Sequence, residues 1–412
     1  MTCPSERGWV RVRLADVARI VTGKTPSPAI SRYWGGAFPF VTPGDLSESI
    51  FHGQAARTLT DGGKAVARLV PKRSSLVTCI GSSVGKVAFT VSECTTNQQI
   101  NAATARAGTD PLCLHYALEH ASERISAMAG NTAVPLVTKG QLENFRVLLP
   151  PGPVQEGVGA TLYTCDTGIA LLGKLITAKR TFKRALMQDL LTGRRRFGGN
   201  EATTTHQATG HHPTGWRTVR ISSIATACRA RAGSQVLPVL SCTKHSGLVL
   251  SSTFFGKQVF SRNLSTYRVV RHGQFAYATN HLEEGSIGLL EDHDAGLVSP
   301  MYTVFEVTDP NVDPRYLFAL LKSTPYIKLF RRATSGSVNR RGSLRWPAFK
   351  QIQVTLPPIE EQLRIVAAAR AMEHELASLE RQLEQYSILK RCMMQTLLAG
   401  EITIPDRIGT PD

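Results

Sequence analysis

One segment of the sequence looks like a nucleotide-binding loop, Gly81-Ser82-Ser83-Val84-Gly85-Lys86. A Walker loop needs four residues between its glycines, and a Ser or Thr after the lysine to hold Mg²⁺. Here three residues separate Gly81 from Gly85, and Val87 follows the lysine. The segment therefore lacks both features with which such a loop holds a magnesium nucleotide.

Other catalytic signatures give no better support for an enzyme. We find no GxGxxG after a predicted strand, no HExxH, and no Asn-Pro-Pro-aromatic or Asp-Pro-Pro-Tyr tetrapeptide of the kind that holds a target base in amino-methyltransferases. His206, His211 and His212 lie in a polar stretch with no rigid element to orient metal ligands, so we expect solvated side chains. The sequence thus predicts a non-catalytic chain without a metal site.

Charge indicates the partner. Lys and Arg number 48 against 31 Asp and Glu, a formal net charge of +17. Phosphates release counterions when lysine and arginine neutralise them, so this surplus favours a polyanionic partner such as a nucleic acid, the alternative being a merely basic soluble protein. Eight cysteines without a CxxC pair, and no uncharged apolar run of about 18 residues, favour a cytoplasmic protein with no membrane contact.

The chain repeats itself at a constant offset of 207 residues. Gly8-Trp9 recurs as Gly215-Trp216, and Leu149-Pro150-Pro151 recurs as Leu356-Pro357-Pro358. Further pairs at this offset are Val12-Arg13 with Val219-Arg220, Gln155 with Gln362, Lys183-Arg184 with Lys390-Arg391, and Leu190-Leu191 with Leu397-Leu398. The two halves therefore have similar architecture with diverged middles.

Each half divides into a globule and a long helix. Short apolar runs between Gly and Pro turns predict strands, and segments with helical spacing accompany them, so the globules are of the mixed α+β class. The Leu-Pro-Pro signal introduces the helix. The predicted divisions are a first globule at 1–150, a first long helix at 151–197, a linker at 198–214, a second globule at 215–356, a second long helix at 357–400 and a tail at 401–412.

Both long helices carry a heptad pattern, with apolar residues at alternating spacings of four and three. Such a pattern favours a coiled-coil seam, the alternative being that each helix packs on its own globule. The predicted seam and partner-docking residues include Leu162, Ile169, Leu172, Ile176, Leu376, Leu379 and Leu383. Four glycines in the first helix weaken it by about 1 kcal/mol each relative to alanine, so it depends on packing.

DNA contact is expected from basic and amide side chains in loops, because arginine suits guanine and asparagine suits adenine. The segment from Thr334 to Gly342 is basic and has no acidic residue. The predicted DNA contacts are Lys24, Arg32 and Lys86 in the first half, and Lys244, Lys257, Arg262, Asn339, Arg340 and Arg341 in the second. Which of them contact bases and which contact phosphates stays open.

This order of parts resembles the specificity subunit of type I restriction–modification systems. Trp34-Gly35-Gly36, followed by Pro39 to Leu46, is similar to the opening motif of a target-recognition domain, and Asn97-Gln98-Gln99-Ile100-Asn101 to its later counterpart. Ser299-Pro300-Met301-Tyr302 takes the place of the later motif in the second half. The most family-like helix opening is Pro357-Pro358-Ile359-Glu360-Glu361-Gln362.

The resemblance implies two target-recognition domains, each reading half of a bipartite DNA site. It also implies long helices paired as an antiparallel coiled coil that docks two methyltransferase subunits and, with them, restriction and translocation subunits. S-adenosylmethionine and ATP would then be cofactors of those partners, with none held by this chain.

Two other readings stay open. One is a fused restriction–modification polypeptide with cryptic catalytic motifs, which S-adenosylmethionine binding by the isolated chain would reveal. The other is a coiled-coil scaffold without a DNA role, which would bind its partners yet retain no DNA.

The shared heptad register predicts that the helices act as a ruler. Inserting one heptad into each at matched positions adds about 10 Å at about 1.5 Å per residue, so the spacer between half-sites should lengthen by up to about 3 base pairs. Sequencing methylated DNA from cells measures the spacer. An active variant with an unchanged spacer would contradict the prediction, and a three-residue insertion, which breaks the register, should abolish activity.

Overall fold

A computed structural model describes residues 8–46, 49–130, 133–197, 214–244, 246–256, 260–335 and 343–399. The chain divides into two compact units, one within Met1–Ile176 and Leu379–Asp412, the other within Thr177–Ser378. Each unit therefore contains one globule together with parts of both long helices. In the described part of the chain, no helix combines the length and apolarity that crossing a membrane requires.

The first globule is mixed α/β. Its strands are β1 Val10–Arg13, β2 Ala18–Thr22, β3 Trp34–Val41, β4 Ile50–Phe51, β5 Arg57–Leu59, β6 Leu69–Val70, β7 Ser74–Thr78, β8 Val87–Thr90, β9 Cys94–Thr96, β10 Ile100–Ala105 and β11 Arg146–Leu149. Its helices are α1 Leu14–Val17, α2 Asp61–Val66, α3 Pro111–His120, α4 Ser122–Ala127 and α5 Lys139–Asn144, and the long helix α6 covers Gly152–Leu191.

Three sheets form in this unit, with strand orders β2-β10-β7-β8-β4, β5-β3-β9-β6 and β1-β11. The central sheet is buried on both faces. Neighbouring residues along a strand point to opposite faces, so each strand contributes to two cores. Val77 and Ala103 belong to the core that includes α3, whereas Leu76 and Ala102 belong to a second core on the other face. A sheet covered on both sides explains why these strands are continuously apolar or small.

The second globule follows the same plan. Its strands are β12 Arg217–Arg220, β13 Ala225–Cys228, β14 Leu240–Thr243, β15 Gly247–Leu250, β16 Arg268–Arg271, β17 Phe275–Ala278, β18 Ile287–Leu289, β19 Ala295–Val298, β20 Tyr302–Val307 and β21 Gln353–Leu356. Its helices are α7 Ile221–Ile224, α8 Ser251–Phe255, α9 Pro314–Leu321, α10 Thr324–Ser335 and α11 Trp346–Phe349, and the long helix α12 covers Ile359–Leu398. The sheet orders are β13-β20-β17-β18, β12-β21, β14-β15 and β16-β19.

Strand register confirms the sequence repeat. In the first unit Val10 pairs with Leu149, and in the second Arg217 pairs with Leu356, so both partners are shifted by the same 207 residues. The sheet β2-β10-β7-β8 corresponds strand for strand to β13-β20-β17-β18. The diverged middles therefore keep the same central sheet despite their different sequences.

The Leu-Pro-Pro-x-x-x-Gln motif has a structural cause, because its glutamine joins the long helix to the globule. Gln155 is buried; its Oε1 accepts from the backbone N–H of Asp110 at 2.8 Å, and its Nε2 donates to the Pro150 carbonyl at 3.0 Å. Gln362 repeats both contacts with Asp313 at 2.9 Å and Pro357 at 2.8 Å. A buried amide satisfied on both sides fixes the angle at which the helix leaves the globule.

Each unit brings together opposite ends of the two long helices. In the first unit Val158 and Leu162 of α6 share a core with Leu397 of α12. In the second unit Leu190 of α6 shares a core with Ile365 of α12. In each unit the two helix ends share the core of the globule, and the antiparallel coiled coil stays a prediction. A seam continuous along the whole helix length stays a prediction.

The predicted heptad positions are shielded from solvent with one exception. The seam residues Leu162, Ile169, Leu172, Ile176, Leu376, Leu379 and Leu383 are buried or half-buried. Tyr386, which continues the heptad spacing three residues after Leu383, is 54% exposed. Gly159 approaches α3 so closely that a Cβ would lie 2.6 Å from Asp110 Oδ1, so this glycine permits packing. Gly168 and Gly173 have no such neighbour.

A buried cluster of charges joins both long helices to α3 in the first unit. Lys390 Nζ on α12 lies 2.8 Å from Asp166 Oδ1 on α6 and 2.9 Å from Glu119 Oε1 on α3. Tyr116 donates its hydroxyl to Asp166 Oδ2 at 2.8 Å. Complete burial lowers the pKa of the neighbouring His115 to about 3, so this ring stays neutral beside Lys390.

The repeat places a corresponding ion pair in the second unit, but in solvent. Lys183, which corresponds to Lys390, lies 2.6 Å from Glu373, which corresponds to Asp166. The side chain of Glu373 is 58% exposed, against 11% for Asp166. Exposed pairs contribute little to stability, whereas removing one partner of a buried pair leaves an uncompensated charge.

This difference predicts unequal effects of the same substitution. Lys390→Met should lower the free energy of unfolding of the first unit by about 3–5 kcal/mol, because Asp166 and Glu119 lose their partner. Lys183→Met, the matched control, should cost less than about 1 kcal/mol. Urea unfolding of the purified chain, followed by circular dichroism, measures both. Equal shifts of the two variants would show that burial does not decide the contribution of this pair.

Candidate nucleic-acid interface

In the first unit the loop after β2 meets the turn before β10. The backbone N–H of Lys24 donates to the Thr96 carbonyl at 2.9 Å, and Thr25 Oγ1 donates to Gln98 Oε1 at 2.6 Å. Arg68 donates from its guanidinium to the Thr22 carbonyl at 2.9 Å, at the base of the same loop. Lys24, Gln98 and Arg68 are exposed, so this loop cluster presents cations and an amide to solvent.

The second unit builds the equivalent cluster from different residues. Arg231 follows β13 and forms an isolated bridge with Arg268, whose Nε donates to the Pro300 carbonyl at 3.2 Å. The turn before β20 closes with the N–H of Tyr302 donating to the Ser299 carbonyl at 2.9 Å. In the first unit, Ile100 and Asn97 make the same closure. The two motifs that the resemblance paired thus occupy equivalent turns.

Both clusters therefore combine a cation on the loop after the first strand of the central sheet with an arginine anchored to a backbone carbonyl. Arg231 corresponds to Lys24 at the 207-residue offset, so the repeat itself contained the signal that would have identified it. Arg68 comes just before β6, and Arg268 begins β16, the corresponding strand. These two arginines are not 207 residues apart, so only the order of the strands shows that they correspond. Cations held on solvent-facing loops in this way suit phosphate contact.

The predicted DNA contacts are distributed unevenly. Lys24 lies in the first loop cluster, and Arg32 lies further along the same loop. The Arg32 carbonyl accepts a hydrogen bond from Thr60 Oγ1 at 2.7 Å. The side chains of Lys24 and Arg32 are both exposed. Lys86 is half-buried at the start of β8. Lys244 is exposed in the turn between β14 and β15, and Arg262 is exposed before β16. Lys257, Asn339, Arg340 and Arg341 lie outside the described residues. For all nine residues, contact with DNA stays a prediction.

The segment Gly81–Lys86 forms a turn between β7 and β8. The N–H of Gly85 donates to the Thr78 carbonyl at 2.9 Å, closing the hairpin, and no helix follows. Gly81-Ser82-Ser83-Val84-Gly85 also matches the GxSxG pattern, but a nucleophile elbow joins a strand to a helix. Ser83 Oγ makes no hydrogen bond to a described residue, and so lacks a general base there.

Histidine, cysteine and carboxylate groups point to no further chemistry in the described part of the chain. His281, Glu283 and Glu284 lie near one another in a surface turn, where exposed acidic groups commonly cluster without a metal. Burial raises the pKa of the Cys94, Cys113 and Cys242 thiols to about 12 in each case. These cysteines are therefore protonated, unreactive core side chains.

A cavity of about 510 Å³ in the second unit has a different character from the loop clusters. Its lining combines Leu248, Leu250 and Phe254 with Glu291 and Asp292. Carboxylates beside an apolar wall repel phosphates, so we exclude this cavity from the candidate interface.

Comparison with known proteins identifies relatives of the whole chain. Residues 6–178 match the family model of the type I restriction modification DNA specificity domain. The specificity subunit of the type I restriction enzyme MjaVIII from Methanocaldococcus jannaschii is 22% identical over 411 residues, covering 96% of this chain and 93% of the relative. The HindI specificity subunit of Haemophilus influenzae is 35% identical over 97 residues, which cover 23% of this chain and 21% of that protein.

Solved structures show the same fold. The S subunit of a type I restriction–modification system from M. genitalium superposes with a TM-score of 0.59 at 14% identity, over 96% of this chain and 99% of that chain. A chain from a study of the assembly and conformational transition of a type I system gives a TM-score of 0.56 at 16% identity, over 96% and 98% of the two chains.

The paired clusters predict matched losses of phosphate contacts. Lys24→Ala and Arg231→Ala should each reduce the slope of log affinity against log salt by about 0.9, because each removes one phosphate contact. Fluorescence titration of DNA at several salt concentrations, with the chain in its assembled complex, measures the slope. Arg11→Ala, on the separate strand pair β1-β11, is the control. Unchanged slopes in both variants would remove the clusters from the interface.

Proposed function

Because the chain belongs to the specificity subunits of type I restriction–modification systems, we propose that its two globules read the two halves of a bipartite site on double-stranded DNA. The observation that carries this proposal is the repetition of one basic loop cluster on the same central sheet in both units. Two equivalent cationic loops suit two half-sites, because a repeated protein element recognises a repeated position on the duplex.

In this function the chain recognises DNA and performs no reaction. Its relatives are named as specificity subunits. S-adenosylmethionine and ATP belong, in the proposal, to methyltransferase and restriction partners, and the chain works beside them in the cytoplasm.

The long helices offer a surface for those partners. Leu171 and Leu175 on α6 are 60% and 43% exposed, and Ile388 and Leu389 on α12 are each 50% exposed, all in the first unit. In the second unit Phe182 on α6 is 58% exposed. Apolar side chains turned away from the helix pairing cost free energy in water, and a partner that covers them recovers it. One such surface in each unit would suit two methyltransferase subunits.

A scaffold without a DNA role is the second candidate, and the same exposed apolar side chains favour it. It differs in what it expects of the loop clusters, since a scaffold would have no use for unpaired cations there. A wild-type complex that holds its partner subunits but does not bind DNA would support the scaffold.

The decisive experiment exchanges one globule. Replacing residues 215–356 with the corresponding globule of a relative should change one half-site of the methylated motif and leave the other unchanged, because β12 pairs with β21 and closes the globule on itself. Sequencing methylated DNA from cells that carry the chimera measures the motif.

A reciprocal exchange of residues 8–149 is the matched control and should change the other half-site. If a folded, active chimera changed both half-sites, the division of reading between the globules would be wrong. If the wild-type gene left no bipartite methylation motif in cells, the proposed function itself would fail.

A further inference from the structure

Three aromatic side chains within residues 33–38 of the first unit each have a cation over the ring. Lys64 Nζ lies 4.1 Å from the centre of the Phe38 ring, and the Arg32 guanidinium lies 5.7 Å from that of Tyr33. The closest pair is Arg57 with Trp34, where the guanidinium carbon is 3.8 Å from the ring centre. The basic loop clusters do not account for these pairs of a cation with an aromatic ring.

The indole beneath Arg57 is fixed from two sides. Trp34 Nε1 donates to the Ser27 carbonyl at 3.2 Å, on the loop that continues from Lys24. The Phe40 ring packs edge-on against Trp34 at 5.1 Å. A fixed ring holds a stacked guanidinium in one plane, which reduces the entropy that Arg57 would lose on forming further hydrogen bonds.

The Trp34-Gly35-Gly36 motif creates this platform. The pairing of β3 with β5 shifts register between Trp34 and Phe38, which marks a bulge. Gly35 has φ +84°, and a Cβ on Gly36 would lie 2.4 Å from the Leu59 carbonyl oxygen. Both positions therefore require glycine, one for its backbone conformation and one for close contact. The bulge displaces the indole along the strand, and Arg57 on β5, opposite Phe40, then lies over it.

The N–H donors of the Arg57 guanidinium are available for a ligand. Arg57 is exposed, and its guanidinium forms no ion pair or hydrogen bond with any residue in the described ranges. Two other arginines of this unit each use part of the guanidinium on a backbone carbonyl, Arg68 on that of Thr22 and Arg106 on that of Ala15. A planar fork held by stacking, with its edge free, matches the adjacent O6 and N7 acceptors of guanine in the major groove.

We propose that Arg57, oriented by Trp34, reads a guanine in the half-site recognised by the first globule. The inference rests on the proposed function and deepens it, since it names one residue, one base and one half-site. A phosphate contact is the alternative chemistry for the same side chain. The two differ because a phosphate accepts any cation, whereas guanine discriminates against a residue without the planar fork.

The test uses the chain assembled with its methyltransferase subunits on a randomised DNA library, with methylated molecules sequenced. Arg57→Lys retains the positive charge but loses the stack and the two parallel donors. Preference for guanine at one position of one half-site should fall about 10- to 100-fold, and the other half-site should stay unchanged. Trp34→Leu should weaken the same position, because the guanidinium loses its support.

Arg11→Lys is the matched control, an exposed arginine of the same unit on β1, and should leave the motif unaltered. An unchanged motif in Arg57→Lys would overturn the inference and is the result that a phosphate contact predicts, because lysine retains the charge. A uniform loss over all sequences would also overturn it. Both results leave the proposed function intact if wild-type complex yields a bipartite motif. Absence of any motif from wild-type complex would overturn both.

Discussion

The glutamine at the start of each long helix is the contact on which the rest of the architecture depends. Gln155 and Gln362 each bridge a helix start to the capping residue of a globule helix, Asp110 or Asp313. These amides are buried, and a buried amide must satisfy both its donor and its acceptor, so it tolerates little change in angle. The direction of the long helix relative to its own reading globule follows from this geometry in both halves.

Charge is used in two opposite ways. Lys390 is buried among Asp166 and Glu119, where paired charges hold three helices together and nothing is left for a ligand. The loop cations Lys24 and Arg231 and the stacked Arg57 face solvent with no carboxylate partner among the described residues. An excess of positive charge attracts DNA only where it stays unpaired, so the proposed DNA contacts belong to the second group and not to the first.

The two halves repeat the scaffold but not the surface. The central sheets and the glutamine contacts coincide, while the aromatic–cation pairs at Tyr33, Trp34 and Phe38 belong to the first globule. In the second globule Lys322 lies 5.8 Å from the centre of the Phe318 ring, and the aromatic side chains Phe275, Tyr277, Phe305 and Phe349 stack in the core. Different surfaces on one scaffold are what two unlike half-sites require, because base contacts specify whereas the scaffold only positions.

The sequence by itself determined the repeat and the long helices, and it predicted a polyanionic partner, because a constant offset, a heptad period and a charge surplus are local or additive properties of the chain. It also predicted Lys24 as a loop cation, and the offset leads from Lys24 to Arg231. Only the tertiary structure decided that Arg57 lies over Trp34, since a bulge and a strand pairing bring together residues 23 positions apart. Likewise Lys390 and Glu119 meet across 271 positions, and no pattern along the chain records such a contact. Pairings of this kind depend on how strands and helices pack, and packing is set by the whole core at once.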